Sequence, residues 1–105
     1  MQLDIYFVDA FTDNIFSGNP AAVIFTDLDD KSTMQKISAE NNLSETAFVN
    51  LSDNNLIRWF SPIKEVDLCG HATLASAYIY FNYLDKKAES ICFNSASGEL
   101  IVNKK

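Results

Sequence analysis

The sequence predicts an α+β domain in which a mixed or antiparallel sheet curls around one buried central helix. Three observations carry this. Strand-like and helix-like stretches follow in the order β, β, α, β, β, α, β, β, with most neighbouring strands close enough in sequence to pair directly. Across residues 71–84, small or apolar side chains (Ala72, Leu74, Ala75, Ala77, Tyr78, Ile79, Phe81, Leu84) fall on every side of a 3.6-residue repeat, and a helix apolar all round is a buried one. The chain has 105 residues, 48% hydrophobic and 21% charged, which suits one globular domain spanning 1–105.

Residues 3–11 are rich in β-branched and aromatic types, and Tyr6-Phe7-Val8 makes them apolar on both faces, as in a strand inside a sheet. The turn clusters Thr12-Asp13-Asn14 and Ser17-Gly18-Asn19-Pro20 surround Phe16, and residues 21–25 read as a second strand. Ser32 and Gln35 have the offset of a capping box. They open a short amphipathic helix over 33–41, with Met34 and Ile37 inward and Asn41-Asn42 as its stop. Strands follow at 46–49 and 56–60, joined through a turn at 52–55, and Pro62 ends the second because it supplies no ladder amide. Alternation puts Trp59 in the core and Arg58 at the rim. Glu65 and Asp67, two apart in an extended run, read as a carboxylate pair on one side or, in preference, as a solvated edge. After the central helix, Ile91-Cys92-Phe93 and residues 100–102 form a last pair of strands around a turn at 96–98.

Asp and Glu number 14 against 8 Lys and Arg, a formal net charge of -6. This argues against nucleic acid as a partner and favours a small molecule. No long apolar run or charged leader opens the chain, so a soluble cytoplasmic protein without membrane association is expected. Cys69 and Cys92 lack metal-type spacing, and one histidine leaves too few soft ligands for zinc, so free thiols and no metal are expected. Three glycines form neither a dinucleotide fingerprint nor a phosphate loop. A lone His71 without a nucleophile elbow gives no Ser-His-Asp arrangement.

The chemistry concentrates at Cys69-Gly70-His71, where an extended run meets the central helix. The first amides of a helix lack intrahelical partners and the dipole makes that end positive, so a carboxylate is favoured there. Gly70 lets a ligand approach the backbone, or only makes the turn, with His71 as its cap. Cys69 is either a thiolate activated by the helix start or buried packing. Glu45, at a loop-to-strand junction before Ala47-Phe48-Val49, is either a solvated glutamate or a carboxylate whose pKa burial raises toward neutrality, as proton transfer requires. Asn19 is a ligand-orienting or ordinary turn residue.

Asp9-Ala10-Phe11-Thr12, Phe16-Ser17-Gly18-Asn19-Pro20-Ala21-Ala22-Val23, Asn42-Leu43-Ser44-Glu45-Thr46-Ala47-Phe48, Arg58-Trp59-Phe60 and the run from Glu65 to Ala75 together resemble the phenazine-biosynthesis PhzF-like isomerase family of the diaminopimelate epimerase-like superfamily. The blocks keep the family's order and spacing over nearly the whole chain. The resemblance implies a diaminopimelate epimerase-like domain and cofactor-free proton transfer on a small carboxylated metabolite. In the family's named member the reaction isomerises a dihydro-hydroxyanthranilate. Glu45 falls on the catalytic glutamate, and Gly70, His71 and Asn19 on substrate-facing positions. Cys69 falls on an acid/base thiol of the epimerase branch, whose partner thiol lies in a second domain. The chain matches the N-terminal domain only. Lacking the second, it is expected either to be a fragment or to pair as a homodimer. The alternative is a non-catalytic binding or dimerisation domain, or a truncated remnant of such an enzyme.

Overall fold

The chain's structure, a computed structural model, describes residues 3–8 and 21–104. The strands β1 (Ile5–Val8), β2 (Ala21–Phe25), β3 (Glu45–Asn50), β4 (Leu56–Phe60), β5 (Glu65–Val66), β6 (Ser90–Ser95) and β7 (Gly98–Asn103) form one seven-stranded sheet. Its order is β1-β2-β3-β4-β6-β7, with β5 also on β4. The β2–β3 and β4–β6 pairs are parallel and the others antiparallel, so the sheet is mixed. Helix α1 (Lys31–Asn41) makes the parallel crossover from β2 to β3, and α2 (Gly70–Ile79) follows β5.

The two faces bury different cores, and strand alternation assigns each side chain. Ala47, Val49, Ile57 and Trp59 face α2, packing with Ala72, Ala75, Ala77 and Phe81 and with Phe93 of β6. Phe48 and Phe60 point the other way, against Met34 of α1 and Ile24, their rings edge to face at 5.5 Å. A fully buried side chain of this size contributes about 1.5–3 kcal/mol, so each helix is fixed chiefly by the face it covers. Gln35 Nε2 donates to the Ser61 carbonyl at 3.0 Å and ties α1 to the end of β4.

Several sequence expectations change in detail. Among the described residues β1 stands at the edge of the sheet and not inside it, and Phe7 is 66% exposed. The cap of α1 is Asp30, not Ser32. Its carboxylate accepts from the Ser32 amide (3.1 Å) and the Thr33 hydroxyl (2.7 Å), bonds that hold the Asp30 pKa below its usual range. The stop is as expected, with Asn42 left-handed at φ 53° and its amide on the Ser38 carbonyl. The central helix loosens in its last part, where Tyr80–Leu84 forms a π-helical turn closed by the Asp85 amide on the Tyr80 carbonyl at 2.8 Å. Nor is α2 buried all round: Leu74 and Tyr78, one turn apart, are 47% and 45% exposed beside a groove that Ala77, Phe81 and Val102 also line.

The hairpin β6–β7 is joined to the sheet narrowly. Leu56 and Asn94 are the one pair in register between β4 and β6. Asn94 donates its amide to the Asn55 carbonyl (3.1 Å), and Asn55 Nδ2 donates to the Cys92 carbonyl (3.2 Å). Asn94 Nδ2 also donates to the Asn54 carbonyl. Asn54 and Asn55 both hold left-handed backbone (φ 52° and 56°) to make this joint, a conformation asparagine tolerates better than most residues. Among the described residues no helix is long and apolar enough to cross a membrane.

Candidate functional site

Glu45 opens β3, and alternation places it on the same face as Ala47 and Val49, toward α2. There it meets the start of the helix. One ligand-type atom from each of Glu45, Cys69 and His71 lies within 4.8 Å of the others. The site thus joins the N-terminal end of a central strand to the mouth of the central helix, although 24 positions separate Glu45 from Cys69.

The turn into α2 is rigidly held. Cys69 is the N-cap residue, extended at φ -142°, and its side chain makes no cap bond. Its carbonyl accepts from the Thr73 amide (3.1 Å) and from the Thr73 hydroxyl (2.8 Å). That hydroxyl in turn accepts from the Trp59 indole N–H at 3.1 Å. A buried chain of hydrogen bonds therefore runs from the core of β4 to the backbone of the site. The Cys69 thiol is buried, with Sγ 3.5 Å from His71 Nδ1. Burial, and secondarily the Glu45 charge, push its pKa up, while the Ala72 and His71 amides act in the opposite sense.

Glu45 is partly buried. Its Oε2 is a fully buried atom with no hydrogen-bond partner among the described residues. Desolvation raises the carboxyl pKa, and the charge of His71 lowers it by less. A carboxylate that is left unsatisfied in this way is set to exchange protons or to receive a ligand. At Gly70 the backbone is outside the left-handed region and an added Cβ would meet nothing within 4 Å. Neither conformation nor packing against described residues demands glycine there.

Of the residues singled out in the sequence, Glu45, Gly70 and His71 are brought together, Cys69 joins them, and Asn19 lies outside the described residues. The sequence reading missed two supports. The first is the Trp59–Thr73–Cys69 chain, for which Thr73 at the fourth position after Cys69 is the only signal. The second is an ion pair: Glu65 is no solvated edge. Arg58 Nε and Nη2 donate to its two carboxylate oxygens at 2.8 and 2.9 Å, while the guanidinium lies 5.6 Å from the Phe60 ring centroid. Lys31 Nζ adds a longer contact at 3.6 Å. The pairing of Glu65 with Phe60 puts it diagonally across from Arg58 on one face.

Comparison with known proteins gives the family and the fold. The family profile described as phenazine biosynthesis-like protein (PhzC-PhzF) matches residues 8–105. An uncharacterized isomerase of Pseudomonas aeruginosa is 52% identical over 107 residues, covering 99% of this chain and 41% of that protein. The crystal structure of a phenazine biosynthesis protein of the PhzF family from Enterococcus faecalis superposes with a TM-score of 0.91 at 48% identity, covering 100% of this chain and 41% of the other. A putative phenazine biosynthesis PhzC/PhzF protein from Clostridium difficile gives 0.90 at 46%, with coverages of 99% and 41%. The chain spans about two-fifths of the length of these relatives, and the architecture is the epimerase-like one the sequence led us to expect.

Proposed function

We propose, from the premise that this chain belongs to the phenazine biosynthesis-like (PhzC-PhzF) family, that it supplies the proton-transfer half of a PhzF-like isomerase site. Glu45 is the general acid/base: it takes a proton from a carbon adjacent to an unsaturated system and returns it elsewhere on the same small carboxylated metabolite. His71 and the helix-start amides beside Gly70 hold the anionic or polar end of that substrate. The observation that carries the reading is the Glu45 carboxylate at the α2 mouth, one oxygen within 4.8 Å of donor atoms of Cys69 and His71 and its Oε2 buried with no hydrogen-bond partner among the described residues. A carboxyl whose pKa is raised by burial can both accept and release a proton nearer neutral pH than a solvated one. Cys69 is packing in this scheme, since burial makes its thiolate harder to form.

The test is turnover of a dihydro-hydroxyanthranilate and related carboxylated dienes in D2O. Deuterium enters the receiving carbon to the extent that the Glu45 carboxyl exchanges with solvent before it returns the proton, and Glu45→Gln should lower the rate by about 10²–10⁴-fold with the circular dichroism spectrum unchanged. Full activity in Glu45→Gln would remove Glu45 from the mechanism. A second reading is a binding or dimerisation domain, favoured by the exposed Leu74 and Tyr78 on a helix otherwise committed to the core. A homodimer would give the cleft a second wall. Light scattering at several concentrations tests the dimerisation reading: a stable dimer supports it and allows a composite site, and a persistent monomer counts against it and leaves this chain the chemistry of one wall.

A further inference from the structure

Glu45, Cys69 and His71 present three different donor atoms, a carboxylate oxygen, a thiol sulfur and an imidazole nitrogen, all within 4.8 Å of one another. Zinc bonds of about 2.3 Å to sulfur and about 2.0 Å to nitrogen, at the tetrahedral angle, require a sulfur–nitrogen separation of about 3.5 Å. Cys69 Sγ lies 3.5 Å from His71 Nδ1 and 3.9 Å from Nε2, so it stands beside both ring nitrogens and in line with neither lone pair. A turn of the imidazole about its side-chain torsions and an inward move of the carboxylate bring one nitrogen and one oxygen onto a cation held by the sulfur. Glu45 Oε2 has no hydrogen bond to surrender, and the Cys69 backbone is fixed by Thr73 and Trp59, so ligation leaves the fold's own bonds in place.

We propose that Glu45, Cys69 and His71 bind a thiophilic divalent cation, Zn2+ foremost, and that the cation closes the α2 mouth reversibly. The mixed sulfur, nitrogen and oxygen set selects zinc over magnesium or calcium, which take oxygen ligands. Three protein donors leave a fourth position to water, as in an exchangeable site and unlike a closed structural one. The helix dipole opposes a cation by about half a charge, but the thiolate and carboxylate bring two full negative charges. Binding transfers the Cys69 thiol proton to solvent. The resulting inhibition rests on the proton-transfer reading above, because the cation occupies Glu45; the binding itself does not. The proposal departs from the sequence expectation of no metal, which counted histidines and did not foresee Glu45 beside Cys69.

The test is a Co2+ titration of the 105-residue chain under a phosphine reductant, read by absorption. One Co2+ per chain, a thiolate-to-cobalt charge-transfer band, intense d–d bands of a four-coordinate ion, and displacement by Zn2+ are expected. Cys69→Ala should abolish the charge-transfer band and weaken binding by more than about 100-fold, beyond the loss from an outer-shell partner, whereas Cys92→Ala changes neither. His71→Gln and Glu45→Gln, read by the same bands, keep the test open if Cys69→Ala fails to fold. A wild-type chain without the band, or a band that disappears with Cys92, overturns the metal site and leaves the Glu45 turnover test untouched. Conversely, a Glu45→Gln chain with full isomerase activity overturns the proposed reaction while the titration stands.

Discussion

Replacing Thr73 with valine separates what the core contributes to the site from what the site contributes to itself. The two side chains have the same shape, so the substitution removes one hydroxyl and little else. That hydroxyl donates to the Cys69 carbonyl at 2.8 Å and accepts from Trp59 Nε1 at 3.1 Å. The carbonyl keeps the Thr73 amide at 3.1 Å, so this loss is one ordinary bond, about 0.5–1.5 kcal/mol. The indole N–H, on a side chain only 1% exposed, is left with no partner, which costs about 1–3 kcal/mol more. The sum, about 2–4 kcal/mol, is read by urea unfolding. In a Trp59→Phe background no donor is orphaned, so Thr73→Val should there cost only about 1 kcal/mol, a coupling of about 1–3 kcal/mol between the two sites. A loss below about 0.5 kcal/mol, or equal losses in both backgrounds, would refute the reasoning.

Glu65→Gln breaks the two-pronged contact with Arg58, at side chains about three-quarters buried. Because the Arg58 hydrogen bond holds the Glu65 pKa below its ordinary value, the contribution is present above the unfolded pKa and lost as pH falls through the folded one. Urea midpoints should show a cost of about 1 kcal/mol at neutral pH that shrinks in acid, and a pH-independent difference counts against the pair. Glu45→Gln has the opposite sign. Burial raises the Glu45 pKa, so the ionised carboxylate destabilises the fold above its unfolded pKa, and the variant should be the more stable protein at neutral pH with no advantage in acid; a variant less stable at neutral pH contradicts this. Gly70→Ala should change stability by less than about 1 kcal/mol, since the added methyl meets nothing within 4 Å, yet lower turnover at least about tenfold by obstructing the helix-start amides. Retained turnover would return Gly70 to a purely backbone role.

The strands were legible because alternation and turn residues mark them locally. What lay beyond reach depended on pairing between distant segments. The cap of α1 went to Asp30 because a carboxylate two residues before Ser32 reaches its amide, and Gln35, read as the other half of a capping box, bonds Ser61 instead. The apolar residues around α2 implied burial on every side, but the sheet covers only part of it, leaving Leu74 and Tyr78 outside. Phe7 reads as interior by composition and stands, among the described residues, on an edge. At the site, Glu45, Gly70 and His71 were legible as motif residues. Their convergence was not, because it arises from β3 running beneath the mouth of α2. The Arg58–Glu65 pair depends on β5, a strand of two residues that no periodicity can announce.

The joint at Leu56 and Asn94 divides the molecule's cooperativity unequally. The β6–β7 hairpin is a local structure, six residue pairs in register closed by a short turn, and like any two-stranded ribbon it needs a hydrophobic partner to be stable. Its seat on the sheet is a single registered pair plus three asparagine-centred bonds, joined by the Ser97 hydroxyl donating to the Asp67 carbonyl and by Ile91 and Phe93 in the core they share with Ile57 and Trp59 of β4. Disturbance of the last strands therefore meets the rest of the molecule first at β4, through the core that Phe93 shares with Trp59, whose indole N–H is bonded to the Thr73 hydroxyl of α2.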